Sequence, residues 1–122
     1  MNVHIAIPTK DIQASKAFYE RLGFSVAKEY AKPGDQLQII RMSHQGQYIL
    51  ELMAHAAAQD FSYAHRPELL HIGVIVENIE STLEQLQRSG AKLLKPITAG
   101  AAVKRFAFVA DPSGYPVELV EE

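Results

Sequence analysis

With 122 residues, 48% of them apolar, and a formal net charge of −2, the chain carries enough apolar side chains for the core of one soluble domain and no cationic excess for tracking a nucleic-acid backbone. It has no cysteine, which excludes disulfides, thiolate nucleophiles and sulfur-ligated zinc and leaves imidazole and carboxylate as the available metal-binding groups. No apolar stretch approaches the roughly 20 residues that span a bilayer, and MNVHIAIPTK lacks the layout of a signal peptide, so a cytoplasmic location is expected.

In chain order, Val3 to Ile7 is short and rich in branched residues, and reads as a strand closed by Pro8. Asp11 offers an N-cap. Behind it Ile12, Ser15, Phe18, Tyr19 and Leu22 recur at helical spacing, and Gly23 stands where a left-handed C-terminal residue belongs. Three further strands are expected at Phe24 to Glu29, Leu37 to Met42 and Tyr48 to Met53, separated by turns at Pro33-Gly34-Asp35 and His44-Gln45-Gly46-Gln47. After a stretch without clear period, 55–68, the order returns. Leu69 to Val76 reads as a strand, Asn78 caps a helix with Ile79, Leu83 and Leu86, and Gly90 ends it. Strands at Lys92 to Leu94, Val103 to Ala110 and Tyr115 to Val120 follow, with turns at Ala99-Gly100-Ala101 and Asp111-Pro112-Ser113-Gly114.

The second half is a repeat of the first. His4 and His71 are separated by 67 positions (71 − 4), as are Glu51 and Glu118 (118 − 51), and the same offset places Asp11 on Asn78, Gly23 on Gly90 and Leu52 on Leu119. Two copies are too few for a solenoid. Each half, at about 60 residues, is marginal alone. The expected architecture is therefore one α+β domain, 1–122, made of two paired βαβββ modules, 1–54 and 69–122, joined by the linker 55–68.

The repeat also organises the chemistry. Strand alternation turns His4 away from Val3, Ile5 and Ile7, and His71 away from Leu70, Ile72 and Val74. Glu51 opposes Leu50 and Leu52, and Glu118 opposes Val117 and Leu119. All four polar residues should lie on the sheet faces that do not pack on the helices. If the two modules bring these strands together, two imidazoles and two carboxylates form a hard-to-borderline site for one divalent metal, with coordination positions left open for water or substrate. A lone histidine in a strand is ordinarily a hydrogen-bonded structural residue, but the same pair of residue types at matching positions in both halves favours a metal site. His44, His55 and His65 have no histidine mates and read as exposed loop residues. Arg41 and Arg105 lie in otherwise apolar strands, either as snorkelling or edge-strand arginines or as contacts for an anionic substrate.

Three segments, HIAIPTKDIQASKAFYERLGF, LLHIGVIVENIE and FVADPSGYPVELVE, resemble the vicinal oxygen chelate superfamily, also called the glyoxalase/bleomycin-resistance/dioxygenase superfamily. The resemblance runs from Val3 to Val120, and the His, Glu, His, Glu order is most similar to bacterial glyoxalase I, lactoylglutathione lyase. It implies paired modules forming an open metal-binding cleft, with metal ligands His4, Glu51, His71 and Glu118 and one divalent ion per site, Ni, Co or Zn. It further implies a homodimer in which modules of different subunits meet at the metal.

The implied reaction converts the hemithioacetal of a 2-oxoaldehyde and a thiol, such as a glutathione adduct, into a 2-hydroxyacyl thioester through an enediolate. In it Glu118 is the catalytic base and Glu51 its mirror-related counterpart. Two departures bear on the substrate: Pro8 stands where glyoxalase I enzymes usually carry a glutathione-holding arginine, and Ala54 and His55 replace a frequent asparagine. The alternatives are an acyl-CoA epimerase-like enzyme using the same metal logic and a bleomycin-resistance-type binding protein without metal, which the four-ligand set disfavours. A ring-cleaving dioxygenase is disfavoured by Glu51 as a fourth ligand.

Overall fold

The computed structural model describes residues 3–31, 37–55 and 71–122. The chain divides into two compact units, Met1–Phe61 and Ser62–Glu122. The first contains β1 (Ile5–Thr9), α1 (Ile12–Glu20), β2 (Phe24–Ala31), β3 (Gln38–His44) and β4 (Gln47–Ala54). The second contains β5 (Ile72–Ile75), α2 (Ile79–Arg88), β6 (Leu93–Ala99), β7 (Arg105–Ala110) and β8 (Pro116–Glu121). Each unit is βαβββ, and each sheet has its first strand beside its last: β1-β4-β3-β2 in one, β5-β8-β7-β6 in the other. The first and last strands run parallel and the remaining pairs antiparallel. The α+β architecture expected from the repeat is the one observed. The turn at 33–35, His65 and nearly all of the linker 55–68 lie outside the described residues.

Both helices begin on the expected caps. The Asp11 carboxylate accepts from the Ala14 amide at 3.1 Å and the Asn78 side chain from the Ser81 amide at 2.9 Å, each satisfying an amide that the first helical turn leaves free. Both end before a glycine at positive φ, Gly23 at 87° and Gly90 at 100°. In the first unit Ile12, Phe18 and Tyr19 of α1 are buried with Ile40, Met42, Leu50 and Leu52 of the sheet. In the second, Ile79, Leu83 and Leu86 are buried with Ala107, Val109, Val117 and Leu119. Alternation then leaves Glu51 and Glu118, between the two leucine or valine neighbours of each, on the face away from the helix.

Several boundaries differ from the sequence expectation. Pro8 does not close β1, which continues to Thr9; among the described residues β1 pairs only with β4, so a residue without an amide hydrogen is tolerated at the edge. Likewise β6 continues through Pro96 to Ala99 as an edge strand with register shifts around it. On this face of β1 Ile7 and Thr9 are buried, whereas Val3 and Ile5 are 75% and 53% exposed, because α1 packs over β2 and β4 and leaves the start of β1 uncovered.

The hairpin turn is also tighter than expected. Gln45 and Gly46, both at positive φ, make a two-residue loop, and His44 and Gln47 are paired strand residues. His44 is therefore not an exposed loop histidine. It is half-buried, its ring lies 4.7 Å from that of Phe24, and its Nε2 meets the Leu22 carbonyl at 3.2 Å, so it satisfies an acceptor at the end of α1. His55 is exposed, as expected.

Candidate metal and substrate site

The parallel pairing of first and last strands explains how each histidine reaches its glutamate. Ala6 faces Glu51 across the β1–β4 ladder and Gly73 faces Glu118 across β5–β8, so His4 and His71, two residues earlier, lie diagonal to the carboxylates on the same face. Alanine and glycine leave room above the carboxylates. In the first unit His4 Nε2 is 3.8 Å from Glu51 Oε2; in the second His71 Nε2 is 3.8 Å from Glu118 Oε1. The structure thus brings together His4 with Glu51 and His71 with Glu118. Neither unit by itself gathers three or more His, Asp or Glu side chains at one point among the described residues.

Each pair fits two positions of a metal's coordination shell. Donors about 2.1 Å from one ion can be at most about 4.2 Å apart, and roughly 3 Å when they occupy neighbouring octahedral positions. A separation of 3.8 Å needs only a small closing movement of long, partly exposed side chains. Imidazole with carboxylate suits zinc, nickel or cobalt.

The two pairs are not equal. Tyr48 donates its hydroxyl to Glu51 Oε2 at 2.6 Å, and Arg41 Nε lies 3.6 Å from the same oxygen. The Tyr48 ring stacks on the His4 imidazole, with centroids 4.9 Å apart, and the Arg41 guanidinium stands 5.4 Å from its centroid on a cation–π contact. Partial burial, then the hydrogen bond to Glu51 and its charge, push the Tyr48 phenol up to about 12. Sequence reasoning missed Tyr48, although the repeat held a signal: its mate at the same offset is Tyr115. Glu118 is the more open carboxylate, its side chain 23% exposed against 12% for Glu51. His71 beside it packs edge-on against Phe108, with centroids 5.0 Å apart.

A hydrogen-bonded turn delivers Glu118. The Asp111 carboxylate accepts from the Ser113 and Tyr115 amides at 2.9 and 2.8 Å, the Gly114 amide donates to the Asp111 carbonyl at 2.9 Å, and Gly114 takes φ 95°. The Asp-Pro-Ser-Gly-Tyr segment is thus a structural corner that sets the start of β8, at Pro116, two residues before the carboxylate.

The two arginines separate. Arg41 lies next to Glu51, on the face that carries the candidate site. Arg105 is instead held by Glu121, at 2.8 to 3.0 Å, and by Glu80 at the start of α2. Glu121 also accepts from the Ile79 amide at 3.3 Å, so this network ties α2 to β7 and β8. Hydrogen bonds from Arg105 hold the Glu80 and Glu121 carboxyls below the usual carboxylate range, and the arginine above its own.

Among the described residues no helix is long and apolar enough to cross a membrane. The model of the Glyoxalase/Bleomycin resistance protein/Dioxygenase superfamily matches residues 3–119. The chain is 32% identical to the uncharacterized protein YwkD of Bacillus subtilis (strain 168), over 98% of this chain and 94% of that one. It is 24% identical to the lactoylglutathione lyase of Salmonella typhimurium, over 98% and 90%. Among solved structures, the trypanothione-dependent glyoxalase I of Leishmania major superposes with a TM-score of 0.77 at 25% identity, covering 98% of this chain and 84% of that one. Duplicated βαβββ units, a family match over almost the whole length and this structural likeness converge: the chain belongs to the glyoxalase/bleomycin resistance/dioxygenase superfamily.

Proposed function

We propose that this chain is a metal-dependent lyase or isomerase of the glyoxalase I type, forming one domain of two modules. In this reading His4 and Glu51 of one module and His71 and Glu118 of the other, from the same chain or from a homodimer partner, hold one divalent ion, Ni, Co or Zn. The observation that carries it is the matched His–Glu pair, 3.8 Å apart in each unit at equivalent strand positions. The similarity to lactoylglutathione lyases supports the reaction class.

When bound, the metal would act as a Lewis acid towards two neighbouring substrate oxygens, making the carbon beside the carbonyl easier to deprotonate. Glu118, the less encumbered carboxylate, takes the proton from the hemithioacetal carbon and returns it to the former carbonyl carbon, while the hydroxyl proton passes from one oxygen to its neighbour. The result is a 2-hydroxyacyl thioester. Glu51, held by Tyr48 and Arg41, serves as the fixed ligand of the other pair.

Two measurements test this. Elemental analysis of untagged protein should find about one divalent metal per site, and His4→Ala or His71→Ala should remove most of it. A screen of glutathione hemithioacetals against acyl-CoA thioesters should show isomerase turnover, with Glu118→Gln reducing turnover far more than metal content. Normal metal content in all four single-ligand variants refutes the site, and full turnover in Glu118→Gln refutes the base. Proton exchange on acyl-CoA thioesters alone would instead identify an epimerase of the same superfamily.

A further inference from the structure

Beside Glu51, on the face of the first sheet away from α1, lies a cavity of about 280 Å³ lined by Lys28, Tyr30, Leu37, Ile39 and Arg41. Its position follows from the ladder: Lys28 faces Arg41 across β2–β3, and Arg41 faces Glu51 across β3–β4. A bulge between Val26 and Lys28 brings the lysine into this row. Two cations directly opposite one another destabilise a sheet. Glu51 offsets the charge of Arg41, whereas Lys28 has no ion-pair partner among the described residues.

The repeat shows that this cation pair is particular to the first unit. The equivalent row in the second is Lys95, Phe108 and Glu118, where a ring replaces the arginine and Lys95 rests 5.0 Å from the centroid of Phe106.

We infer that the Lys28–Arg41 cavity receives an anionic end group of the substrate, a carboxylate or a phosphate on a short apolar stem that lies against Tyr30 and Ile39. This rests on the reading of Glu51 as part of the reaction site. Strands are spaced about 4.8 Å apart, so Lys28, two strands from β4, stands roughly 10 Å from Glu51. A bare three-carbon oxoaldehyde cannot bridge that span, whereas a thiol adduct or acyl thioester with an acidic tail can.

The probes are succinate for the carboxylate and inorganic phosphate for the phosphate, each titrated into the ¹⁵N-labelled full chain and followed by amide shifts. Saturable shifts confined to Lys28, Tyr30, Ile39 and Arg41 are expected, with the tighter probe naming the anion. Lys28→Ala should weaken binding about tenfold, the loss of one hydrogen bond to a charged group, and Lys28→Glu should abolish it. Lys92→Ala, on an exposed lysine of the other unit, should leave the titration unchanged. Shifts spread over the surface lysines, or equal affinity in Lys28→Glu with its spectrum still dispersed, overturn the inference. Metal titration of the same samples keeps the two readings apart: lost metal binding with intact anion binding refutes only the metal site, and the reverse refutes only the cavity.

Discussion

Tyr48 reaches Glu51 because the β3–β4 ladder slips. Between Met42 and Ser43 the register shifts, pairing Ser43 with Tyr48 and Met42 with Leu50, so the extra residue Ile49 turns the tyrosine to the face that carries the carboxylate. The 2.6 Å hydrogen bond fixes one oxygen of Glu51 while the ring supports the His4 imidazole. Groups that orient metal ligands in this way commonly change affinity 10- to 100-fold when lost, so Tyr48→Phe should weaken divalent-metal binding about tenfold in a chelator competition. Unchanged affinity would show that the phenol does not set the geometry.

The same contact has a pH signature. The phenol is pushed up to about 12 from an ordinary 10.0, so its contribution to stability is complete below pH 10 and is lost as pH rises through about 12. Ultraviolet phenolate titration should show a late-titrating tyrosine in the native chain that is missing from Tyr48→Phe.

Arg105 should matter for stability at neutral pH. Because it holds Glu80 and Glu121 below their ordinary value of 4.5, its stabilisation is present above that pH and is lost as pH falls through the depressed values. Denaturant unfolding of Arg105→Ala should show a clear deficit at pH 7 that narrows below pH 4. A deficit independent of pH would point to lost packing instead.

His44 and His4 should part company under substitution. His44→Ala removes a hydrogen bond to the end of α1 and a ring contact with Phe24, so it should cost about 1 kcal/mol of unfolding free energy and leave metal content intact. His4→Ala should lose metal instead. Comparable metal loss in the two variants would contradict this division of roles.

The repeat predicts matched costs in the two units. Leu52→Ala and Leu119→Ala, both fully buried at equivalent positions, should each destabilise by about 2–5 kcal/mol, and the cap changes Asp11→Ala and Asn78→Ala by about 1 kcal/mol. Thermal or denaturant unfolding measures all four. A large effect in one unit and none in the other would mean that the halves do not share one packing scheme.

Local physics explains what the amino-acid sequence determines by itself. Caps, positive-φ glycines and the alternation that puts Glu51 and Glu118 opposite their apolar neighbours are properties of a few consecutive residues, and the duplication of those patterns was enough to expose both modules and both His–Glu pairs. The parallel placement of β1 beside β4, which makes each pair a pair in space, depends on non-local hydrogen bonding that no local pattern encodes. The fates of three polar residues were likewise settled by partners distant in sequence or by a shift in register. His44 meets a carbonyl at the end of α1, Arg105 finds Glu80 and Glu121 rather than open solvent, and Tyr48 turns onto Glu51 because one extra residue enters the ladder. Side chains with the same local pattern can serve a core, an ion-pair network or a site; which of these they serve is decided by what the folded chain places within about 3 Å of their polar atoms.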